Sequence, residues 1–281
     1  MKHHVKQNKV SSPGKWIAFL CLLFFVSCTG DEVLTYAPLE VVAEIGGVQS
    51  RATEVKDETD YEKKDRFEYG DEIKIRKTGE SETGTYRKNN SGGWQPSDSG
   101  NTLLTSGNEE FVATYPTDFT SILSDQTTYT NYWLSNCLTA TARATDNRVS
   151  FSFAPAAAKI TIIIVYEVDN VAMSAEVTGA NVCTEPGKTE NVQLLCTSKE
   201  ARRHTYTGIL SPAATSTYKI SVVTTVGGTS QTSAYTEKGG FTLAAGCEYQ
   251  YTFTKTSELI LSSVVVKEFQ STPESDAGTA T

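Results

Sequence analysis

Histidine is scarce in this sequence, and the residue patterns of the common active sites are missing from it. Three of its 281 residues are histidines, and two of these, His3 and His4, lie close to the N-terminus. The third, His204, follows two arginines in a polar stretch, where we expect it at the protein surface. The chain also has no Gly-x-Ser-x-Gly, no phosphate-binding loop, no His-Glu-x-x-His and no Cys-x-x-Cys. We therefore expect no enzyme activity, no metal site and no cofactor.

Basic residues are also in short supply after the first segment. The chain contains 25 Lys and Arg against 33 Asp and Glu, which gives a net charge of −8 at pH 7. Four of the lysines precede the first acidic residue, Asp31, so the net charge of the rest of the chain is more negative than that of the whole. Because nucleic acids and anionic membrane surfaces attract basic proteins, neither is an expected partner.

An uncharged apolar run near the N-terminus predicts an export signal. Trp16–Val26 is eleven residues long, which is shorter than the about 20 residues needed to span a membrane and typical of a secretory signal peptide. Ser27-Cys28 follows and resembles a bacterial lipobox, whose cysteine is lipidated, so we expect residues 1–28 to be a lipoprotein signal peptide. Asp31 and Glu32 resemble the surface-export signal of Bacteroidetes lipoproteins. The alternative is an ordinary cleaved signal in which Cys28 has no role.

The composition and the alternation of residues predict strands nearly throughout. Threonine accounts for 39 of the 281 residues, beside 13 Tyr and 11 Phe, and all three residue types favour β-structure. Residues 259–266 are predicted to form a last strand, and apolar side chains recur at every second position in four earlier segments: 39–45, 149–153, 160–166 and 247–254. Because the third of these is apolar on both faces, we expect it to be buried on both sides. Many short strands separated by glycine-containing turns predict an all-β fold of sandwich type.

The length that follows the signal suggests two sandwich domains. The predicted boundary is Ala154–Ala158, where Pro155 separates two strands. We therefore expect an N-terminal domain over residues 29–155, a C-terminal domain over residues 156–270 and a polar tail over residues 271–281.

Four cysteines follow Cys28, and in an exported protein they can form up to two disulfides. Cys183 and Cys196 flank a Pro-Gly turn, so they are the favoured pair. Cys247 lies in phase with core aromatic residues and is equally suited to a buried thiol. The spacing of the four, which include Cys137, does not match a zinc site.

A charge-dense segment between Arg51 and Phe67 follows the first predicted strand. Its composition is typical of a solvated loop. The segment opens with Ser50-Arg51-Ala52-Thr53, a position that an arginine-specific protease can reach.

Five segments, taken in order, resemble those of a known family. They are the first strand with its Ser50–Thr53 ending, Phe67–Ile73 (FEYGDEI), Phe111–Pro116 (FVATYP), Val149–Ile160 and Gly246–Phe253 (GCEYQYTF). Through them the chain is similar to the fimbrillin-like (Mfa1-like and FimA-like) lipoproteins of Bacteroidetes, which build type V fimbriae. One departure is Phe269, which stands where the family usually has a tryptophan. The resemblance implies two transthyretin-like Greek-key β-sandwich domains in tandem and a fimbrial subunit exposed at the cell outer membrane.

The resemblance also implies a route of assembly. In that family an arginine-specific protease cuts the lipidated precursor in its first loop, the first strand leaves, and a strand of a neighbouring subunit fills the groove, which is a form of β-strand addition. Carried to this sequence, the cut falls between Arg51 and Ala52. The apolar side chains of the displaced strand are then Leu39, Val41, Ala43 and Ile45. The implied partners are other fimbrial subunits through donor-strand exchange, the outer membrane through a palmitate-containing anchor on Cys28, and a surface ligand that the protein binds in adhesion.

The C-terminal residues do not look like a donor strand. A stalk subunit must also give a strand to its neighbour, normally from its C-terminus, yet the segment after Phe269 contains Pro273 and no alternating apolar residues. Either the strand at residues 259–266 serves as donor, or the protein is a tip or accessory subunit that only accepts a strand. The second role is favoured.

Two other functions stay open on the residues alone. A lipid-anchored glycan- or protein-binding lipoprotein would keep its first strand and never polymerise, and Trp94, Trp133 and the tyrosines at Tyr129 and Tyr132 would form its exposed aromatic platform. A hydrolase on a β-scaffold would need two acidic side chains in one cleft, but the acidic residues here cluster in predicted loops.

Overall fold

A computed structural model describes residues 36–46, 66–169, 171–180, 182–183, 188–212, 217–237 and 242–269. Within these ranges the chain is built from strands, with one short α-helix, α1 (Tyr129–Ser135), so the predicted all-β class is confirmed. No helix in the described ranges is long and apolar enough to cross a membrane. The predicted signal peptide and the predicted polar tail lie outside the described residues.

The first half of the described chain forms one seven-stranded sheet. Its strands run in the order β2-β9-β8-β7-β3-β4-β5, and the short strands β1 and β6 pair with each other beside it. The bounds are β1 (Ala37–Pro38), β2 (Glu40–Ile45), β3 (Glu72–Lys77), β4 (Thr83–Lys88), β5 (Trp94–Pro96), β6 (Leu104–Thr105), β7 (Glu110–Tyr115), β8 (Leu138–Arg143) and β9 (Arg148–Pro155). Because β2 also contacts β5, the two ends of the strand order lie close together.

The second half forms two further sheets. One has the order β13-β14-β10-β17-β18 and the other β12-β11-β15-β16. The bounds are β10 (Ala158–Tyr166), β11 (Ala172–Ala180), β12 (Thr189–Gln193), β13 (Leu195–Glu200), β14 (Arg203–Leu210), β15 (Tyr218–Val226), β16 (Thr229–Thr236), β17 (Cys247–Lys255) and β18 (Leu259–Glu268). The turn between β15 and β16 is Gly227-Gly228, with φ of +56° and +81°. A two-residue hairpin of this type needs positive φ at both central residues, which glycine adopts without strain.

Each predicted strand is present, within a few residues of its predicted bounds. The strand predicted to be buried on both faces is β10, which lies at the centre of its sheet between β14 and β17. Its side chains Ile160, Ile162 and Ile164 are fully buried, and Ile163 on the opposite face is 7% exposed. Burial of both faces explains why apolar residues do not alternate with polar ones along this strand.

The buried apolar residues form two large clusters and a small one. The first cluster draws on residues from Leu39 to Phe153 and the second on residues from Ala158 to Phe253. The small cluster takes residues from both halves: Ile122, Tyr132, Ala157, Leu195, Ile209 and Phe269. The division into two transthyretin-like domains at residue 155 therefore stays a prediction, because the two halves also share buried contacts.

Gln126 ties the segment before α1 to strand β14. Its side chain is fully buried. The amide Nε2 donates to the carbonyl oxygen of Ile209 (2.8 Å) and to that of Leu123 (2.9 Å), and Oε1 accepts from the Ile209 N–H (2.7 Å). Buried polar groups are stable only when they are hydrogen-bonded in this way, so Gln126 holds the two halves together at this point.

The expectation that His204 lies at the surface was wrong. His204 is 1% exposed because β14 lies inside its sheet, between β13 and β10. Its ring packs edge-on to Tyr166 at 5.3 Å, and Nδ1 lies 3.3 Å from the Tyr206 hydroxyl. Burial, with a contribution from Lys199, lowers the pKa of His204.

Candidate functional site

The strand predicted to leave the fold is β2, at one end of the seven-stranded sheet. It runs parallel to β9 over six residue pairs, from Glu40 opposite Arg148 to Ile45 opposite Phe153. The strand before it, β1, pairs antiparallel with β6. Parallel pairing joins segments that are far apart in the sequence, so β2 holds its place through tertiary contacts and not through a hairpin turn.

One face of β2 is buried and the other is exposed. Its residues alternate strictly between the two environments. The predicted apolar side chains all lie on the buried side, at 5% to 8% exposure: Leu39, Val41, Ala43 and Ile45. They belong to the same core cluster as Val149, Phe151 and Phe153 on β9, each of which is at most 1% exposed. Burial of a valine, leucine or isoleucine side chain contributes about 1.5–3 kcal/mol, so the strand is held firmly.

Backbone hydrogen bonds fix both ends of β2. At its start the Leu39 N–H donates to the carbonyl oxygen of Leu103 (2.9 Å), and the Glu40 N–H donates to that of Asn147 (2.7 Å). At its end the Gly46 N–H donates to the carbonyl oxygen of Phe153 (2.8 Å). These bonds lie outside the ladder itself, so the strand is anchored at both ends.

Strand β9 depends on β2 for most of its pairing. Among the described residues, β9 forms a ladder with β8 only where Leu138 faces Pro155 and Thr139 faces Ala154, with one further bridge between Thr145 and Arg148. Between these points the ladder partner of β9 is β2. Removing β2 therefore leaves the middle of β9 without a ladder and uncovers its buried aromatic side chains.

A carboxylate braces the loop next to β6, the strand that holds β1. Glu109 accepts hydrogen bonds from the Thr105 hydroxyl (2.6 Å), the Ser106 N–H (2.9 Å) and the Ser106 hydroxyl (2.7 Å). Burial alone would raise the pKa of the Glu109 carboxyl, but these hydrogen bonds outweigh it and hold the pKa well below its usual range. Because Thr105 pairs with Ala37, the brace supports the entry to the first strand. The brace was not predicted above, although a Thr-Ser-Gly-Asn run before a glutamate is a recognisable loop signal.

The residues predicted for processing cannot be placed against this geometry. Cys28, Arg51 and Ala52 all lie outside the described residues. Arg51 belongs to residues 47–65, which connect Gly46 at the end of β2 to Arg66 before β3. Lipidation and cleavage therefore stay predictions.

The disulfide predicted between Cys183 and Cys196 is not formed in the structure, where both thiols are free. Cys183 is buried in the second core cluster, and this burial, together with Glu190, raises the pKa of its thiol to about 12. Cys196 is exposed on β13, whereas Cys183 lies after the end of β11 and outside any strand. Within the described ranges, no group of three His, Cys, Asp or Glu side chains is placed to hold a metal ion.

The aromatic residues considered for a binding platform pack inward. Trp94 meets Phe67 edge-on at 5.1 Å, and Trp133 meets Tyr115 edge-on at 6.0 Å. Both tryptophans pack against the first core cluster. Tyr132 is 2% exposed, and Trp94, Trp133 and Tyr129 are partly buried, so the four side chains do not form a fully exposed aromatic platform.

Comparison with known proteins agrees with this fold. A family model described as fimbrillin-like matches residues 50–268, whereas no curated protein sequence is similar enough to count as a relative. The structure is similar to crystal structures of two candidate cell adhesion proteins. The one from Bacteroides uniformis has 19% identity and a TM-score of 0.56, with coverage of 84% of this chain and 99% of that chain. The one from Bacteroides ovatus has 15% identity and a TM-score of 0.56, with coverage of 83% and 98%.

Sequence identities this low show only that the fold is similar. The family assignment rests on the match of residues 50–268 to the fimbrillin-like family model. The matched residues begin just after β2 and end at Glu268, the last residue of β18. They include most of the sequence and all but the first two of the described strands, so the chain belongs to the fimbrillin-like family.

Proposed function

We propose that this protein is a surface-displayed fimbrial subunit that mediates adhesion and assembles by β-strand exchange. Cleavage between Arg51 and Ala52 separates β2 from the rest of the chain, β2 leaves, and a strand of another subunit takes its place beside β9. Membership of the fimbrillin-like family supports a structural and adhesive role at the cell surface over an enzymatic one.

The geometry of β2 is the observation that carries the proposal. The strand presents Val41, Ala43 and Ile45 to the core, and Leu39 directly before it is also buried. It is the ladder partner of β9 over six residue pairs. Its removal would leave an apolar groove lined with unpaired backbone groups, and an incoming strand satisfies both at once. The segment that contains Arg51 follows β2 directly, so a cut there leaves β2 held by noncovalent contacts alone.

Lipidation of Cys28 completes the proposal at the N-terminal end. The acyl groups hold the precursor at the outer membrane with its folded part outside the cell. Firm anchoring requires more than one acyl chain, and a triacylated cysteine meets that requirement. Cleavage at Arg51 then separates the lipid from the part of the chain that assembles.

Strand β18 favours an acceptor role over a stalk role. It is paired with β17 from Leu259 to Glu268, so donating it to another subunit would require breaking that whole ladder. Phe269, directly after it, is buried in the small cluster shared by the two halves. We therefore favour a tip or accessory subunit, which accepts a strand without giving one.

The test is limited proteolysis of the full chain with an arginine-specific protease, with the new N-terminus read by mass spectrometry. Wild type should yield Ala52 as the new N-terminus. Arg51→Ala should resist this cut, whereas Arg66→Ala, a matched change at the other end of the same segment, should be cut like wild type. Cleavage followed by SDS-resistant oligomers indicates a stalk subunit, and cleavage without self-assembly indicates a tip or accessory acceptor. Resistance of wild type at Arg51 would contradict the mechanism and favour a lipid-anchored binding lipoprotein that keeps its first strand.

A further inference from the structure

Strand β18 carries an unusual concentration of exposed apolar side chains. Of the ten large hydrophobic residues that are exposed among the described residues, four lie on this strand: Ile260, Val264, Val265 and Val266. Their exposure ranges from 36% to 52%. Because β18 is the last strand of its sheet, one backbone edge is also open to pairing. Open apolar edges of this kind are sites of association between chains unless they are protected.

A bulge sorts these side chains onto the two faces of the strand. Thr252 faces Ser263 and Phe253 faces Leu261, so Ser262 is the extra residue. As a result Ile260 and Val265 lie on one face, opposite Thr254 and Gln250 of β17. The other face carries Leu261, Val264 and Val266, which lie opposite Phe253, Tyr251 and Tyr249 of β17, respectively.

The sequence of β18 is complementary to itself in the antiparallel direction. If two copies pair so that Ser262 of one faces Ser263 of the other, Ile260 faces Val265 and Leu261 faces Val264 on each side of the centre. One step further out Leu259 faces Val266, and Glu258 faces Lys267. Opposite residues in an antiparallel pair point to the same face, and the bulge gives each of these apolar pairs a common face. Apolar residues therefore meet apolar residues, and opposite charges meet at both ends.

We propose that β18 is a self-association edge, through which two copies of this chain form a two-fold symmetric dimer by antiparallel strand pairing. Pairing would join two five-stranded sheets into one continuous sheet and cover the exposed valines. Charge complementarity selects the register and favours a second copy over an unrelated partner. The dimer uses an edge far along the chain from β2 and needs no cleavage at Arg51, so it is independent of the proposed strand exchange.

The first test compares two substitutions of an exposed valine by lysine. Val265→Lys places charge on the open edge, whereas Val168→Lys makes the same change at a residue that is 58% exposed and lies outside β18. Sedimentation velocity of the uncleaved full chain in detergent, over a range of concentrations, should show a dimer for wild type and Val168→Lys. For Val265→Lys the dissociation constant should rise at least about tenfold. A monomeric wild type, or equal dimerisation of the two variants, would overturn the proposal.

The second test examines the register by reversing charges. Glu258→Lys places like charges opposite each other at both ends of the pairing and should weaken the dimer roughly tenfold. Adding Lys267→Glu should restore association, because the opposite charges are then exchanged. Lys267 Nζ also lies 4.0 Å from Glu248, so thermal unfolding of the double variant must first show that it is folded. A folded double variant that associates as weakly as the single variant would contradict the register, and Val265→Lys still tests the edge.

Discussion

Replacing Ile45 by alanine removes the last apolar side chain of β2 and weakens the contact that holds the strand in the sheet. Ile45 is 8% exposed and faces Phe153 across the parallel ladder. Val42 lies on the same strand but on its outer face, at 37% exposure. The pair of variants Ile45→Ala and Val42→Ala therefore separates the loss of core contacts from any general effect on the strand.

The expected magnitude follows from burial. Truncation of a buried isoleucine to alanine costs about 2–5 kcal/mol, depending on how far the surroundings collapse. Because Ile45 is the end residue of its strand, we expect a value near the lower limit, about 2–3 kcal/mol. Val42→Ala should change the free energy of unfolding by no more than about 0.5 kcal/mol.

Urea unfolding of the uncleaved full chain measures this difference, with the fluorescence of Trp94 and Trp133 as the signal from the first core cluster. After cleavage at Arg51 the same loss should weaken retention of the N-terminal fragment by about 30-fold or more. Equal destabilisation by Ile45→Ala and Val42→Ala would refute the reasoning, because it would show that the buried face of β2 does not hold the strand.

Three further changes test other parts of the structure, each by urea unfolding. Glu109→Gln should lower the free energy of unfolding at pH 7 by about 1–3 kcal/mol. Because the pKa of Glu109 is lowered in the folded state, the difference between wild type and variant should be complete above about pH 4.3 and should shrink as the pH falls further. The pKa of His204 is also lowered in the folded state, so this histidine takes up a proton at higher pH in the unfolded chain than in the folded one. Wild type should therefore lose stability as the pH falls below about 6.5. His204→Phe should reduce this dependence of the free energy of unfolding on pH between pH 7 and 5. Gln126→Leu leaves the buried N–H and carbonyl of Ile209 unpaired and should cost more than about 2 kcal/mol. If the free energy of unfolding of Glu109→Gln or His204→Phe depends on pH in the same way as that of wild type, the corresponding contact is contradicted. The same holds if Gln126→Leu leaves the free energy of unfolding unchanged.

The positions of the strands can be predicted from this sequence, because burial of one face of a strand places an apolar side chain at every second residue. The segment around Cys247–Lys255 alternates most clearly, and it becomes β17 with Tyr251 and Phe253 in the core. The inward positions of Leu39, Val41, Ala43 and Ile45 were predicted for the same reason, and all four side chains are buried.

The pairing of the strands could not be predicted from the sequence, because it is decided by contacts between distant segments. Nothing in the alternation of β2 or β9 indicates that they run parallel, and the same holds for β10 and β17. His204 shows the same limit: its arginine neighbours suggest a surface site, yet the position of β14 between two strands buries its ring. Cys183 and Cys196 show that proximity in sequence does not fix the surroundings of two thiols, since Cys183 is buried and Cys196 is exposed.

Hydrogen–deuterium exchange along β9, before and after cleavage at Arg51, tests the central claim most directly. If β2 is the removable strand, the amides of Val149–Phe153 should exchange faster once the fragment carrying β2 has left, while those of β17 stay protected. A synthetic peptide of residues 36–46 should restore protection of β9. Unchanged exchange of the amides of Val149–Phe153 after the fragment has been lost would contradict this mechanism.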